Sequence, residues 1–485
     1  MSIHELKYAF HARSIAVAGA SGNPQSTGYR FTFHLVNHGY SGAIYPVTPN
    51  WPEVLGLKAY PSLREISGSV DYVICCLPAS KVLDLIGDAR QKGVKVIHLF
   101  TGRFSETGNE DAASVEKEVL HKAKEAGIRL IGPNCMGIYY PKEGIAFSYD
   151  APKEPGKVGM FFQSGGASTE FFQYASLRGI RFSKVVSYGN AIDLNESDFL
   201  EYLAQDPETE IIASYIEGVK DGRRFLRTLR DATLKKPVII LKAGRSGSGA
   251  KAAASHTSAM AGSFTIWDTA MRQAGALQAQ TLEDMINLVV SFCFLPPILG
   301  KRVGVVGGGG GKSVLSADEW DEAGFNIAPL SSEIEEEIKE ILPELWWGWL
   351  RNPVDVSIFP QEAHTANLSK NLLKMMARSS DFDLVISNMG VTGPFSGAEL
   401  VERVNGDVEN VIDVAKTYAK PLAIVLNTGI LSEENFDDLR WRCLASAKKK
   451  LLDAELPVYP TVSQAARSIV RVADYYLRRE SVVNA

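Results

Sequence analysis

The chain is punctuated by short, almost wholly apolar runs, each cut off by Gly, Pro, Asn or a polar turn and followed by a longer stretch with helical patterning. Ile15-Ala-Val-Ala18, Tyr72-Val-Ile-Cys-Cys-Leu-Pro78, Ile211-Ile-Ala-Ser-Tyr-Ile216, Pro237-Val-Ile-Ile-Leu-Lys242, Val303-Gly-Val-Val306 and Leu422-Ala-Ile-Val-Leu426 are examples. A strand wetted on one face alternates polar and apolar residues, whereas a strand covered on both faces is apolar throughout. Runs of this kind alternating with helices specify an α/β fold built on parallel sheets. Ligands of such sheets bind beyond the carboxyl ends of the strands, so the residues that terminate each run are the first place to look for function.

A length of 485 residues suits about three domains. The polar, Pro-bearing stretch 141–157 and the pair Pro296-Pro297 divide it into an expected Rossmann-like unit at 1–145, a flavodoxin-like unit at 150–298 and a second one at 300–485. Apolar content of 45% and charged content of 22% belong to a soluble globular protein. With 51 basic against 56 acidic residues the net charge is −5, which argues against a general nucleic-acid surface and makes any phosphate site local. Cys75, Cys76, Cys135, Cys293 and Cys443 have no metal-ligand spacing, so no metal site is expected and a reducing compartment is. With no signal peptide and no membrane-length apolar run, the expected location is the cytoplasm, away from the membrane.

Glycine-bearing turns follow several of the runs. Gly19-Ala-Ser-Gly-Asn-Pro-Gln-Ser-Thr-Gly28 lies between a strand and a helix expected at about 29–38, an arrangement that offers backbone N–H groups and a helix N-terminus to phosphate. Its spacing departs from G-x-G-x-x-G, and the next strand, Ala43-Ile-Tyr-Pro-Val-Thr-Pro-Asn50, lacks the terminal acid that bonds an NAD ribose. Coenzyme A carries a phosphate on that ribose, which a carboxylate would repel, so the missing acid favours CoA over NAD. Gln163-Ser-Gly-Gly-Ala-Ser168 precedes a helix expected at 169–178, and Ser164, Gly165 and Gly166 form a candidate phosphate cradle; the turn does not match the G-x-S-x-G nucleophile elbow. Gly307-Gly-Gly-Gly-Gly-Lys-Ser313 invites a Walker A reading, but that motif needs glycine where Val306 stands. A packing turn fits better, with a small anion or adenine contact by Lys312 left open.

One segment differs from all these. Residues 243–263 are nearly all Gly, Ala and Ser around a single imidazole, His256, just after a buried strand. Small residues let backbone approach a charged group and let a loop move without losing packing. A histidine that accepts a phosphoryl group needs one neutral ring nitrogen facing the donor and an acid holding the other N–H. Glu217, at the end of the 211–216 run, is the candidate acid. Taken singly, each has an ordinary explanation, as a loop histidine and a solvated turn carboxylate.

Together they carry a resemblance. Lys242-Ala-Gly-Arg245, Ala252-Ala-Ala-Ser-His-Thr257, Ala261-Gly262 and Tyr215-Ile-Glu-Gly218 resemble the phosphohistidine segment of the NDP-forming acyl-CoA synthetases, the superfamily of succinyl-CoA synthetase, and within it the alpha subunit of ADP-forming acetate:CoA ligase. The resemblance covers essentially the whole chain and implies a Rossmann-like CoA-binding domain followed by two flavodoxin-like domains of the succinyl-CoA synthetase type. It implies transient phosphorylation of His256, with Glu217 steadying the ring, and CoA contacts from Gly19, Ser21, Pro46, Lys81, Phe100, Thr101, Glu106, Asn134 and Gly137. Ser187-Tyr-Gly-Asn190 and Asp193 match the family and would shape the phosphohistidine pocket; Asn352-Pro-Val-Asp355 matches it too, and Ser258 departs from the family's glycine. The implied reaction converts carboxylic acid, CoA and ATP into acyl-CoA, ADP and phosphate. No segment reads as an ATP-grasp domain, so a separate beta subunit is expected to hold ATP or ADP with Mg2+. Two other readings share these features: a non-catalytic CoA- or acyl-CoA-binding regulatory protein, and an NAD oxidoreductase. The aromatics Trp346, Trp347 and Trp349 suit either a subunit interface or ordinary core.

Overall fold

Three open sheets carry the fold. The computed structural model describes residues 3–249, 251, 263–341, 351–356, 365–391, 397–427 and 437–483, and the chain divides into compact units at 1–285 and 286–485. The first sheet contains β1 (Ser14–Ala18), β2 (Ala43–Val47), β5 (Tyr72–Cys75), β6 (Val96–Leu99) and β7 (Arg129–Ile131), with a small hairpin of β3 (Glu53–Val54) and β4 (Leu57–Lys58) beside it. The second contains β8 (Gly137–Tyr139), β9 (Val158–Phe162), β10 (Phe182–Ser187), β11 (Ile211–Ile216), β12 (Val238–Lys242) and β13 (Leu277–Ala279). The third, in the other unit, contains β14 (Arg302–Val306), β15 (Asn326–Ile327), β16 (Leu384–Met389), β17 (Leu422–Leu426) and β18 (Val458–Tyr459).

The orders are β2-β1-β5-β6-β7, β13-β12-β11-β9-β10-β8 and β15-β14-β16-β17-β18. Setting β8 aside, each is the doubly wound order 2-1-3-4-5 when strands are counted within their own sheet. Pairings within these five-strand sets are parallel; β8 runs antiparallel against β10, as β3 does against β4 in the hairpin. All residues of β1, β5, β6, β9, β12 and β17 are buried, the physical reason their sequences are apolar but for Ser14, His98 and Lys242. The chain enters the second sheet at β8, ahead of the break expected near 145.

Two helices begin earlier than their periodicity suggests. Thr27–Asn37 is capped by Ser26, whose hydroxyl accepts from Tyr29 N at 3.2 Å, and Gly165–Ser176 by Ser164, which accepts from Ala167 N at 3.3 Å. Their first turns are Thr-Gly and Gly-Gly-Ala-Ser, residues that show no apolar face, and the side-chain cap supplies the missing helix signal. The helix Glu196–Gln205 has a full capping box between Asn195 and Asp198 and buries Leu200 and Leu203. The last helix, Val462–Val483, buries Ala465, Ile469, Val472 and Ala473 on one face. No helix among the described residues is long and apolar enough to cross a membrane.

In the second unit the Asn352-Pro-Val-Asp355 motif fastens itself beside β14. Asn352 Oδ1 accepts from Val305 N at 2.8 Å, its Nδ2 donates to Val303 O and Ala328 O, and Val354 N donates to Val305 O. The motif thus has a structural duty of its own. The tryptophans at 346, 347 and 349 lie outside the described residues.

The first phosphate turn closes more tightly than any side chain allows. A Cβ built on Gly28 would sit 2.0 Å from Gly19 O, so the helix packs directly on the turn after β1. Gly28→Ala is expected to destabilise the first unit by about 3 kcal/mol or more, the upper range for overpacking. Denaturant melts of the variant and the parent chain check it.

Candidate active site

Residues at the carboxyl edge of the first sheet are drawn together by short bonds. Gly19, with φ +88°, donates its N–H to Val47 O at 3.0 Å, and a Cβ there would meet the Cys76 carbonyl at 3.0 Å. Ser21 Oγ accepts from Asn23 N and shapes the turn. Pro46 lies inside β2, buried, its carbonyl accepting from Tyr60 N. Thr101, just past β6, donates Oγ1 to Leu77 O at 2.7 Å and so ties the β5 and β6 exits to each other. Phe100 packs edge-on against Phe31 of the helix Thr27–Asn37, with ring centroids 5.5 Å apart. Asn134, in the left-handed region at φ +58°, donates its N–H to Thr101 O. Lys81 is exposed on the turn after β5, 3.8 Å from Asp84. The edge is therefore the topological switch point between β1 and β5, closely packed around glycine, where the sequence predicts a phosphate turn.

Gly137 and Glu106 do something different. Gly137, at φ +83°, begins β8, and a Cβ there would fall 2.5 Å from the His98 ring. Beneath it the fully buried His98 donates Nε2–H to Cys135 O at 2.9 Å. Burial outweighs that bond and lowers the imidazole pKa to about 4. Glu106 turns its carboxylate inward: Oε1 accepts from Arg103 N, while Oε2 accepts from Phe104 N and from Asn190 Nδ2 at 2.7 Å.

Asn190 stands just past β10, so that contact links the edges of the first and second sheets. Backbone bonds run alongside it: Asn190 N to Pro133 O, Ile192 N to Gly132 O and Leu194 N to Leu130 O. Gly189 makes the approach possible, since a Cβ there would sit 2.2 Å from Pro133 O. Ser187 Oγ accepts from Met136 N at 3.2 Å, and a Cβ on Gly165 would lie 3.4 Å from Met136 Cγ. The loop after β7 thus reaches the start of the helix Gly165–Ser176. Asp193, expected near the phosphohistidine pocket, is taken up by Arg129 Nε and NH2 and by Leu130 N, at 2.8 to 3.2 Å.

The second sheet has its own switch point, between β9 and β11. From β9 comes the turn to Ser164, Gly165 and Gly166, whose N–H groups lie in a first helical turn and so find no carbonyl within the helix. From β11 comes Glu217, 4% exposed, next to Tyr215, whose phenol is raised above its ordinary pKa by burial and by this carboxylate. Between them stands a residue whose sequence context marks it only as part of a turn. Gln163, 2% exposed, accepts on one Oε1 from both Glu217 N at 2.8 Å and Gly218 N at 3.1 Å. Its partners lie more than fifty positions away, beyond any local pattern.

Parallel pairing of Ile216 with Lys242 brings residue 243, where the small-residue segment starts, out beside Glu217. Ala243 N donates to Ile216 O at 3.0 Å, and the buried Lys242 ammonium donates to Glu217 O at 2.7 Å and to Ala243 O. Burial lowers the Lys242 pKa, and its charge faces the Trp267 ring at 5.6 Å. Arg245 holds the outgoing chain to Gln280. His256 itself, with Ser258 and the rest of 252–262, lies outside the described residues.

In the third sheet, Gly307 and Gly308 come after β14 with φ near +100°, and a helix Gly310–Glu322 starts at once. A Cβ on Gly307 would meet Asn388 O at 2.3 Å, so close backbone packing accounts for the glycine there.

Comparison with known proteins agrees with this layout. Residues 13–141 match the CoA binding domain family, and residues 155–292 match the succinyl-CoA ligase like flavodoxin domain. The pairing of those two domains defines the class, the CoA ligases of the succinyl-CoA synthetase type. The chain is 36% identical over 471 residues to the alpha subunit of ADP-forming acetate–CoA ligase II from Pyrococcus furiosus, covering 96% of this chain and 98% of that one. It is 34% identical to the ADP-forming acetate–CoA ligase I of Archaeoglobus fulgidus over 82% of this chain, and there it spans only 56% of the relative. Among solved structures, a dinucleotide-forming acetyl-coenzyme A synthetase 1 of Ca. Korarchaeum cryptofilum, in complex with phosphate and ADP, aligns with a TM-score of 0.84 at 30% identity over 99% of this chain and 98% of that one. This chain belongs to the family of ADP-forming acid–CoA ligases, in its alpha-subunit branch.

Two outcomes are expected. Replacing Gln163 by Leu leaves two buried N–H groups without an acceptor and should cost about 2 kcal/mol or more, measured by denaturant melts. His98 sets a pH limit. It stays neutral in the folded chain down to about pH 4, whereas the unfolded imidazole takes a proton near 6.5. Its contribution to stability is therefore complete above 6.5 and falls on acidification between 6.5 and about 4, by up to about 1.4 kcal/mol per pH unit. His98→Gln should reduce the slope when stability is followed against pH, leaving the share of His34, whose pKa burial also lowers to about 4.

Proposed function

We propose that the chain is the alpha-type subunit of an ADP-forming acid:CoA ligase that works through phosphorylated His256. The supporting observation is the meeting of Glu217 and the root of the His256 segment at adjacent strand ends, opposite the helix N-terminus at Ser164 to Gly166. An acid on one ring nitrogen leaves the other free to attack phosphorus, and a helix N-terminus stabilises the transferred anion.

The reaction divides into balanced steps. The His256 ring nitrogen takes the terminal phosphoryl group of ATP and ADP leaves. A carboxylate oxygen of the acid then takes the phosphoryl group from the ring, giving an acyl phosphate and restoring neutral histidine. The CoA thiol attacks the acyl carbon, its proton is lost, and phosphate departs as acyl-CoA forms. Bound in the crevice at Gly19, CoA would bring its thiol toward the loop at 134–136, which already touches the helix start at Gly165. The chain itself positions the ring, the anion and the thiol. The nucleotide and Mg2+ belong to an ATP-grasp beta subunit, a reading supported by the longer Archaeoglobus fulgidus relative, of which this chain spans little more than half.

The test mixes the chain with its co-purified nucleotide-binding partner and ATP labelled on the terminal phosphate. Label is expected on the parent chain, none on His256→Ala, and at least about tenfold slower labelling on Glu217→Gln. Label on neither chain, with CoA binding intact, would instead identify a CoA-binding regulator.

A further inference from the structure

Glu196 occupies a place that stability alone does not explain. It opens the helix Glu196–Gln205 and is fully buried, with Oε2 facing no hydrogen-bond partner among the described residues. Around it, Tyr188 Oη and Ser197 Oγ are likewise buried and unpartnered among the described residues. Burial raises the Glu196 pKa, and Asp198 adds to the rise against the pull of Lys220. Such a carboxyl costs free energy to bury. Its one long-range bond is specific, from Lys220 N to Oε1 at 2.8 Å.

Lys220 closes the short turn that starts at Glu217. Gln163 fixes the beginning of that turn through the N–H groups of residues 217 and 218. Asp221, capping the helix Gly222–Thr233 through the N–H groups of Arg223 and Arg224, fixes the chain beyond it. Between these two anchors the Glu196 bond is the side-chain acceptor that reaches the turn. We infer that Glu196 is a positioning residue for Glu217: by holding Lys220 N it sets the turn from which the Glu217 carboxylate projects. The inference rests on the phosphohistidine reading of that site. The device works through the reach of the side chain, and the Glu196 charge is dispensable to it.

Reach and charge separate cleanly in two substitutions. Glu196→Gln keeps the length and the acceptor oxygen and loses the charge; Glu196→Asp keeps the charge and withdraws the carboxylate by about 1.5 Å, one carbon–carbon bond. In the assembled complex, Glu196→Gln is expected to label His256 at a rate within about threefold of the parent chain. Glu196→Asp should label at least about tenfold more slowly, since a misplacement near 1 Å can cost about a hundredfold. CoA affinity, read by calorimetry on the same preparations, should be unchanged in both and certifies that they fold. Labelling of Glu196→Asp at the parent rate overturns the inference, and so does loss of labelling in Glu196→Gln. If His256→Ala still takes label, the phosphohistidine reading is what fails; if it does not while Glu196→Asp labels normally, only the role of Glu196 falls.

Discussion

The site depends on one contact, the run of backbone bonds by which the chain after β10 lies along the chain after β7. Three N–H groups of residues 190–194 donate to carbonyls of residues 130–133, and Gly189 allows the two backbones to touch. Arg129 and Asp193 close one end of this seam, and Glu106 with Asn190 closes the other. Main-chain bonds place atoms more rigidly than long side chains do, because no rotamer freedom remains in them. The seam therefore sets the separation between two ligand crevices that belong to different sheets. A thiol bound at one and a phosphoryl group bound at the other need a fixed distance for the acyl transfer to be intramolecular in effect.

The second crevice repeats the logic of the first with different donors. In both, the switch point of a 2-1-3-4-5 sheet opens a gap, a glycine-containing turn lines it, and a hydroxyl-capped helix points its N-terminus at it. What the second adds is a buried acid at the exit of one strand, beside the exit of the strand that leads into residues 243–263. Glu217 and the His256 segment leave from paired strands, and the buried Lys242 ammonium holds the two exits together through carbonyl oxygens. Those bonds direct the cation to the backbone at the root of both exits, while the Tyr215 phenol bonds the carboxylate itself.

Much of this was readable beforehand, and the reasons are physical. Strands covered on both faces must be apolar along their length, so the runs at 15–18, 72–75, 158–162 and 238–242 announced themselves and their crevices. Glycine turns marked the edges because only glycine tolerates φ near +90° at Gly19. The opening turns of two helices stayed hidden behind Thr-Gly and Gly-Gly-Ala-Ser, which carry no periodic signal. The Gln163 clamp and the Asp193–Arg129 pair were hidden for another reason: a polar residue's partner is set by tertiary folding, tens of positions away. Glu106 shows the limit of resemblance as a guide, since the structure gives its carboxylate a second duty in joining two sheets.

β8 has a meaning for how this chain can be divided. It is contributed by residues 137–139, directly after the first crevice, yet it covers the outer edge of the second sheet by pairing antiparallel with β10. An uncovered edge strand offers unpaired N–H and C=O groups to any neighbour. The edge of the second sheet is thereby only three residues long and belongs to the chain of the first fold, so a cut made after 145 would leave β10 as a longer open edge.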